Sequence, residues 1–179
     1  MDTAEARAVP EQEWSSREEA LDYLMRRYGQ EVMKLAYYHV RDRYLAEDIM
    51  QDTFCRVYQK MDGFRKDSSY YTWIFQIAVN LCRDHRKSAY RRRVCLKDVG
   101  ERSGYDDARL FEEVEGGEVF ARVMDLPEKY RTVVALFYFE DMTTGRIAQV
   151  LGLRENAVRT RLSRAREKLR GLLEGLADE

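Results

Sequence analysis

Between Thr143 and Arg170 the chain reads TTGRIAQVLGLRENAVRTRLSRAREKLR, and the placement of its apolar residues leaves room for few folds. Ile147, Ala148, Val150 and Leu151 form the short apolar face of a first helix, for which Thr143 or Thr144 supplies a hydroxyl cap. Gly152 follows where a left-handed corner residue ends such a helix, and Leu153 folds beneath it. Val158, Leu162, Ala165, Leu169 and Leu172 then recur at steps of four and three, so a second helix buries one stripe against the first. The opposite stripe carries Arg154, Asn156, Arg159, Thr160, Ser163, Arg164 and Arg166, which mix base-edge hydrogen bonders with phosphate-binding cations. A solvated helical hairpin would carry more acid there, yet Glu155 and Glu167 are the only acids between Arg154 and Arg170. Helix, glycine corner and Arg-studded helix make a helix-turn-helix, and its partner is duplex DNA.

The formal net charge of −1 and pI near 6.2 argue against nucleic acid only on average, because the charges are segregated. A second basic patch, Arg83, Arg86, Lys87, Arg91, Arg92 and Arg93, is opposed in its stretch only by Asp84. After it comes an acidic belt from Asp98 to Glu118, loosened by Gly100, Gly104, Gly116 and Gly117, which reads as a linker. Helical spacing persists over long windows while period-two alternation is rare, so the fold class is all-α. Residues 1–15 read as a disordered tail, 16–93 as one helical domain, 94–118 as the flexible linker and 119–175 as a second domain.

No run of about eighteen apolar residues is present and MDTAEARAVPEQEW lacks a secretory pattern, so a cytoplasmic protein without membrane insertion is expected. Cys55, Cys82 and Cys95 have no CxxC spacing and read as reduced thiols. Cys82 and His85 lie one helical turn apart, with Cys95 beyond, but no fourth ligand completes a metal site. No metal or other cofactor is expected.

Along the first domain, Ser16 and Glu19 form a capping box for a helix through Leu21, Leu24 and Tyr28 that Gly29 interrupts or ends. A second helix carries Val32 to His39, and a third runs from about Tyr44 to Met61 before Gly63. Ser68 or Ser69 caps a long helix with Tyr70, Trp73, Ile74, Ile77, Ala78 and Leu81 on its apolar side, ending in the Arg91 to Arg93 run. In the second domain a short helix spans Val119 to Met124. Pro127 then opens a helix that turns Val133, Val134, Leu136 and Phe137 inward.

Around that long helix, Phe64, Lys66, Tyr70, Tyr71 and Trp73 precede Asn80, Arg83, Arg86 and Lys87. Aromatic faces take unpaired bases while cations hold the backbone, so melted DNA fits; bundle core is the competing reading of each ring. The segment Ala46 to Phe54 clusters Glu47, Asp48, Gln51 and Asp52 on one helix face, which suits docking onto a partner helix. A metal nuclease using Glu47, Asp48, Asp52, Asp84 and His85 fails because no third carboxylate is placed to hold two metals.

These segments together resemble the extracytoplasmic-function sigma factors, compact members of the sigma-70 family of bacterial RNA polymerase subunits. AEDIMQDTF resembles the polymerase-binding part of region two, YYTWIFQIAVNLCRDHRK its melting and −10-reading helix, and Leu126 to Leu169 resembles region four. The resemblance implies a protein without chemistry of its own that gives core RNA polymerase promoter recognition and helps open the duplex, serving stress or envelope-response genes. It implies that Asp48, Ile49, Gln51, Asp52 and Phe54 meet the clamp helices of the largest subunit, and that region four faces the flap of the second-largest. It assigns the −10 element to Phe64, Lys66, Ser69, Tyr70, Tyr71, Trp73, Asn80, Arg83, Asp84 and Lys87, with one base flipped. It assigns the −35 element to Arg146, Arg154, Asn156, Arg159, Thr160, Ser163, Arg164 and Arg166, and adds an anti-sigma factor as a partner. Gly145-Arg146 stands where the family usually has a capping carboxylate. The alternative is a stand-alone helix-turn-helix regulator, which would bind duplex promoter DNA tightly without polymerase.

Overall fold

The computed structural model describes the backbone of residues 14–64, 69–95 and 117–177, and their side chains except those of 89–95, 117–118 and 172–177. All regular structure among the described residues is helical, so the all-α expectation holds. The chain divides into two compact units, Met1–Ser103 and Gly104–Glu179.

In the first unit, α1 (Arg17–Val40), α2 (Arg43–Lys60) and α3 (Tyr70–Cys95) pack pairwise, with a 3-10 turn at Met61–Gly63 after α2. Ser16 caps α1 by accepting from the Glu19 N–H at 3.1 Å, and the Glu19 carboxylate accepts from the Ser15 N–H at 2.8 Å. The helix does not stop at Gly29, so the two helices expected on either side of it are one. Glycine costs a helix interior only about 1 kcal/mol, and Leu24, Tyr28, Val32, Leu35 and Ala36 keep one buried stripe running past it. The real stop is Arg41 in the left-handed region (φ 58), after which Asp42 caps α2 through the Leu45 N–H at 3.0 Å.

Ser69 caps α3, its hydroxyl oxygen 3.2 Å from the Thr72 N–H. The buried face of this helix is Tyr71, Ile74, Phe75, Ala78 and Leu81, at the three-and-four spacing that a helix buries. Tyr70, Trp73 and Ile77, expected inside, are half-buried at its edge. Trp14, assigned to the tail from sequence, instead packs its ring 5.3 Å from that of Tyr70 and 6.2 Å from that of Tyr23. Residues 96–116, which hold most of the acidic belt, and the loop residues 65–68 lie outside the described residues, as do the side chains of Arg91 to Arg93 and Leu172, while Gly117 and Glu118 at the end of the belt are helical.

The second unit comprises α4 (Gly117–Asp125), α5 (Glu128–Tyr138), α6 (Thr144–Leu151) and α7 (Glu155–Ala177). Pro127 is the residue before α5 rather than its first, because its ψ of 139 is extended. Val133, Val134 and Leu136 are buried as expected, but Phe137 is only half-buried. Arg131 is buried and donates from Nη1 to the carbonyls of Met124 and Leu126, both at 3.1 Å. Those carbonyls end α4 without helical partners, so a charged donor there satisfies acceptors that burial would otherwise strand.

Candidate nucleic-acid interface

Thr143 caps α6 by accepting from the Arg146 N–H at 3.3 Å. The Gly152 backbone sits at φ 64, where a side chain is strained, and the Leu153 N–H returns to the Ala148 carbonyl at 2.9 Å. α7 packs on α6 and on α5, and Val158, Leu162 and Ala165 of α7 are buried, as are Ile147, Ala148, Val150 and Leu151 of α6. Leu169 lies half-buried at the end of the stripe. Arg154, Asn156, Arg159, Thr160, Ser163, Arg164 and Arg166 all face solvent, and Arg146 of α6 is partly exposed. A solvent-facing row of this kind on the second helix can enter a major groove.

Several of these side chains already rest on neighbours. Arg159 Nη2 is 2.7 Å from Glu155 Oε1, and the Thr144 hydroxyl donates to that same oxygen at 2.7 Å. Arg166 Nε donates to the Tyr138 hydroxyl at 3.0 Å. Arg164 acts on the Tyr130 hydroxyl: burial pushes that group up, but Lys129 and then Arg164 outweigh it and hold it below its ordinary value. Thr160 donates its hydroxyl to the Asn156 carbonyl at 2.8 Å, so it offers a partner a methyl group and lone pairs.

On the first unit, Phe64 lies 4.3 Å from Tyr70 and 4.7 Å from Trp73 between ring centroids, and Trp14 adds a further ring against Tyr70. Partial burial raises the Tyr70 hydroxyl above its ordinary value. Ser69, Asn80, Asp84 and Lys87 are exposed and Arg83 is half-exposed, all on α3 or at its start. Lys66 lies outside the described residues. Tyr71 does not join the cluster: it is fully buried, stacked at 4.0 Å on Phe75 and edge-on to Tyr28 at 5.5 Å. Two adjacent helical residues point about 100° apart, so Tyr70 and Tyr71 cannot both face a ligand.

Along α2, Asp48, Gln51 and Asp52 are exposed, with Glu47, Cys55 and the three-quarters-exposed Tyr44 on the same side. Ile49 and Phe54, expected to meet the partner directly, are buried in the bundle and support this face from behind. His85 Nε2 of α3 comes within 3.9 Å of Asp52 Oδ2, so the two candidate surfaces meet at that point. Sequence reasoning passed over three groups here: Trp14, Tyr44 and Glu155. Only Glu155 carried a signal, as an acid i,i+4 to an arginine.

Among the described residues, no three of His, Cys, Asp and Glu gather to hold a metal, and no helix is long and apolar enough to cross a membrane. Cys82 is buried, which pushes its thiol up to about 12, and Cys55 is exposed.

A helix-turn-helix in one unit and an aromatic, basic helix in the other define a DNA-binding protein of transcription. The family description "Sigma-70 region 2" matches residues 24–92 and "Sigma-70, region 4" matches residues 118–169. The RNA polymerase sigma-H factor of Pseudomonas aeruginosa is 31% identical over 176 residues, covering 89% of this chain and 89% of that protein. The ECF RNA polymerase sigma factor SigW of Bacillus subtilis is 27% identical over 164 residues, covering 83% and 86%. The solved structure of CnrH in complex with the cytosolic domain of CnrY has a TM-score of 0.66 at 28% identity, covering 97% of this chain and 95% of that one. The chain belongs to the extracytoplasmic-function group of the sigma-70 family of RNA polymerase sigma factors. The stand-alone regulator is not favoured.

Proposed function

We propose that the exposed face of α2, centred on Asp48, Gln51 and Asp52, docks on the clamp helices of the polymerase largest subunit in the cytoplasm. Ile49 and Phe54 hold that face in shape from the core. Phe64, Tyr70 and Trp73 receive an extruded base of the −10 element, with Ser69, Asn80, Arg83, Asp84 and Lys87 along the strand. Lys66 belongs to the same group by its place in the loop. Arg154, Asn156, Arg159, Thr160, Ser163 and Arg164 read the −35 duplex, Arg146 and Arg166 engage its phosphates, and this unit meets the flap of the second-largest subunit. The domain division at 16–93 and 119–175 follows the same split of labour. The chain contributes no catalysis; the polymerase does.

The carrying observation is the solvent-facing row from Arg154 to Arg166 standing behind a left-handed Gly152 corner. The sigma factor RpoE of Bartonella quintana was solved in complex with the anti-sigma factor NepR, which supports an anti-sigma factor as a further partner here. Run-off transcription with purified core polymerase over a promoter library tests the whole reading. Directed RNA synthesis from a shared −35/−10 pattern is expected. Failure of the chain to form a complex with core enzyme, or to direct synthesis, overturns it.

A further inference from the structure

Glu155 is the one acid at the start of the reading helix, and its position looks costly. A carboxylate facing a phosphate-rich groove repels the ligand, yet it is the group that touches Arg159. Its Oε1 accepts twice, from Arg159 Nη2 and from the Thr144 hydroxyl, each at 2.7 Å. Thr144 belongs to α6, so the guanidinium is tied through one carboxylate to the supporting helix and not merely to its own. The hydrogen bond from Thr144, then that from Arg159, hold the Glu155 carboxyl below its ordinary value, and it stays ionised at neutral pH.

An exposed pair of this kind is weak in water, and both side chains are substantially exposed, at 44% and 65%. In a groove from which water is displaced the same pair strengthens. An arginine fixed before binding also loses less rotamer freedom on meeting a base edge, and it cannot swing to an adjacent one.

We propose that Glu155 is a positioning residue that sets which −35 base pair Arg159 reads, with Thr144 as its anchor. The proposal rests on the reading above, in which Arg159 contacts a base. Glu155 exchanges overall affinity for discrimination: its charge weakens binding to every duplex while its grip narrows the choice.

The test uses holoenzyme formed from the full chain and core polymerase, with duplexes in which each −35 base pair is changed in turn. Binding is measured for the unaltered protein and for Arg159→Ala, Glu155→Gln and Thr144→Val, after thermal melts establish that each is folded. Arg159→Ala identifies the base pair whose preference it removes. Glu155→Gln is expected to lower the preference at that same pair by roughly five- to tenfold, with binding to mismatched duplexes undiminished or stronger. Thr144→Val should give a smaller loss at the same position. Uniform weakening across all duplexes assigns Glu155 a merely structural role, and a change at a different base pair makes it a reader in its own right. Either result overturns the proposal. Should Arg159→Ala alter no base preference at all, the reading of Arg159 falls, and the proposal falls with it.

Discussion

The Tyr58 hydroxyl donates a 2.5 Å hydrogen bond to the Glu18 carboxylate across 40 positions of sequence, and Arg17 pairs with Asp62 beside it. The start of α1 is thereby fastened to the end of α2 and the 3-10 turn that leads to Phe64. That hydrogen bond is the largest cause holding Glu18 below its ordinary 4.5, and the largest cause raising Tyr58 above its ordinary 10.0. A depressed acid contributes stability above its unfolded value and loses it as pH falls through the folded one; a raised phenol contributes below its unfolded value and loses it as pH rises. The melting deficit of Tyr58→Phe is therefore expected at pH values between 4.5 and 10.0, fading beyond both. Melts near pH 7, about pH 3 and about pH 11 check this, and a deficit constant across all of them contradicts it.

Gly29→Ala should stabilise the first unit. The residue lies within a continuous α1, and an added Cβ meets no atom within 4 Å. Removing glycine from a helix interior gains about 0.5–1 kcal/mol. Urea titration of the pair reads the difference. A loss of stability would mean that the chain breaks at Gly29 after all.

Phe54 and Asp48 are six residues apart on one helix but should fail in different ways. Phe54→Ala empties a buried site and should cost about 3–5 kcal/mol, lowering the denaturation midpoint. Asp48 is exposed, so Asp48→Ala should leave stability within about 0.5 kcal/mol while weakening assembly with core polymerase. Denaturation curves alongside polymerase pull-down separate the two effects. Equal loss of stability in both variants would remove the distinction between support and contact.

The thiols should differ in reactivity by a wide margin. Burial pushes Cys82 up to about 12, so at about pH 8 its thiolate is on the order of one part in ten thousand, and the side chain is enclosed. Cys55 is exposed on α2. Iodoacetamide should label the Cys55 peptide in the folded protein and the Cys82 peptide only after denaturation. Rapid native labelling of Cys82 would show that the bundle opens around it.

The helix-turn-helix was legible in the sequence because every part of it is local. Thr143, Gly152 and the Val158, Leu162, Ala165 repeat each act within a turn or two, and all three stand where spacing put them. Gly29 misled because a single glycine is a weak local signal, and the tertiary stripe on either side of it decides the matter. Tyr71, Ile49 and Phe54 were assigned to surfaces because motif membership does not say which way a side chain points. Trp14 and the Glu18–Tyr58 bond join residues distant in sequence, which periodicity cannot report.

The left-handed glycine at 152 and the buried apolar residues behind it turn the chain from α6 into α7. In the proposed reading, the residues that make this turn and those that select the promoter are separate. On that proposal, retargeting this factor to a foreign promoter would amount to exchanging the outer row of α7, together with its Glu155 tether, on an unchanged mount.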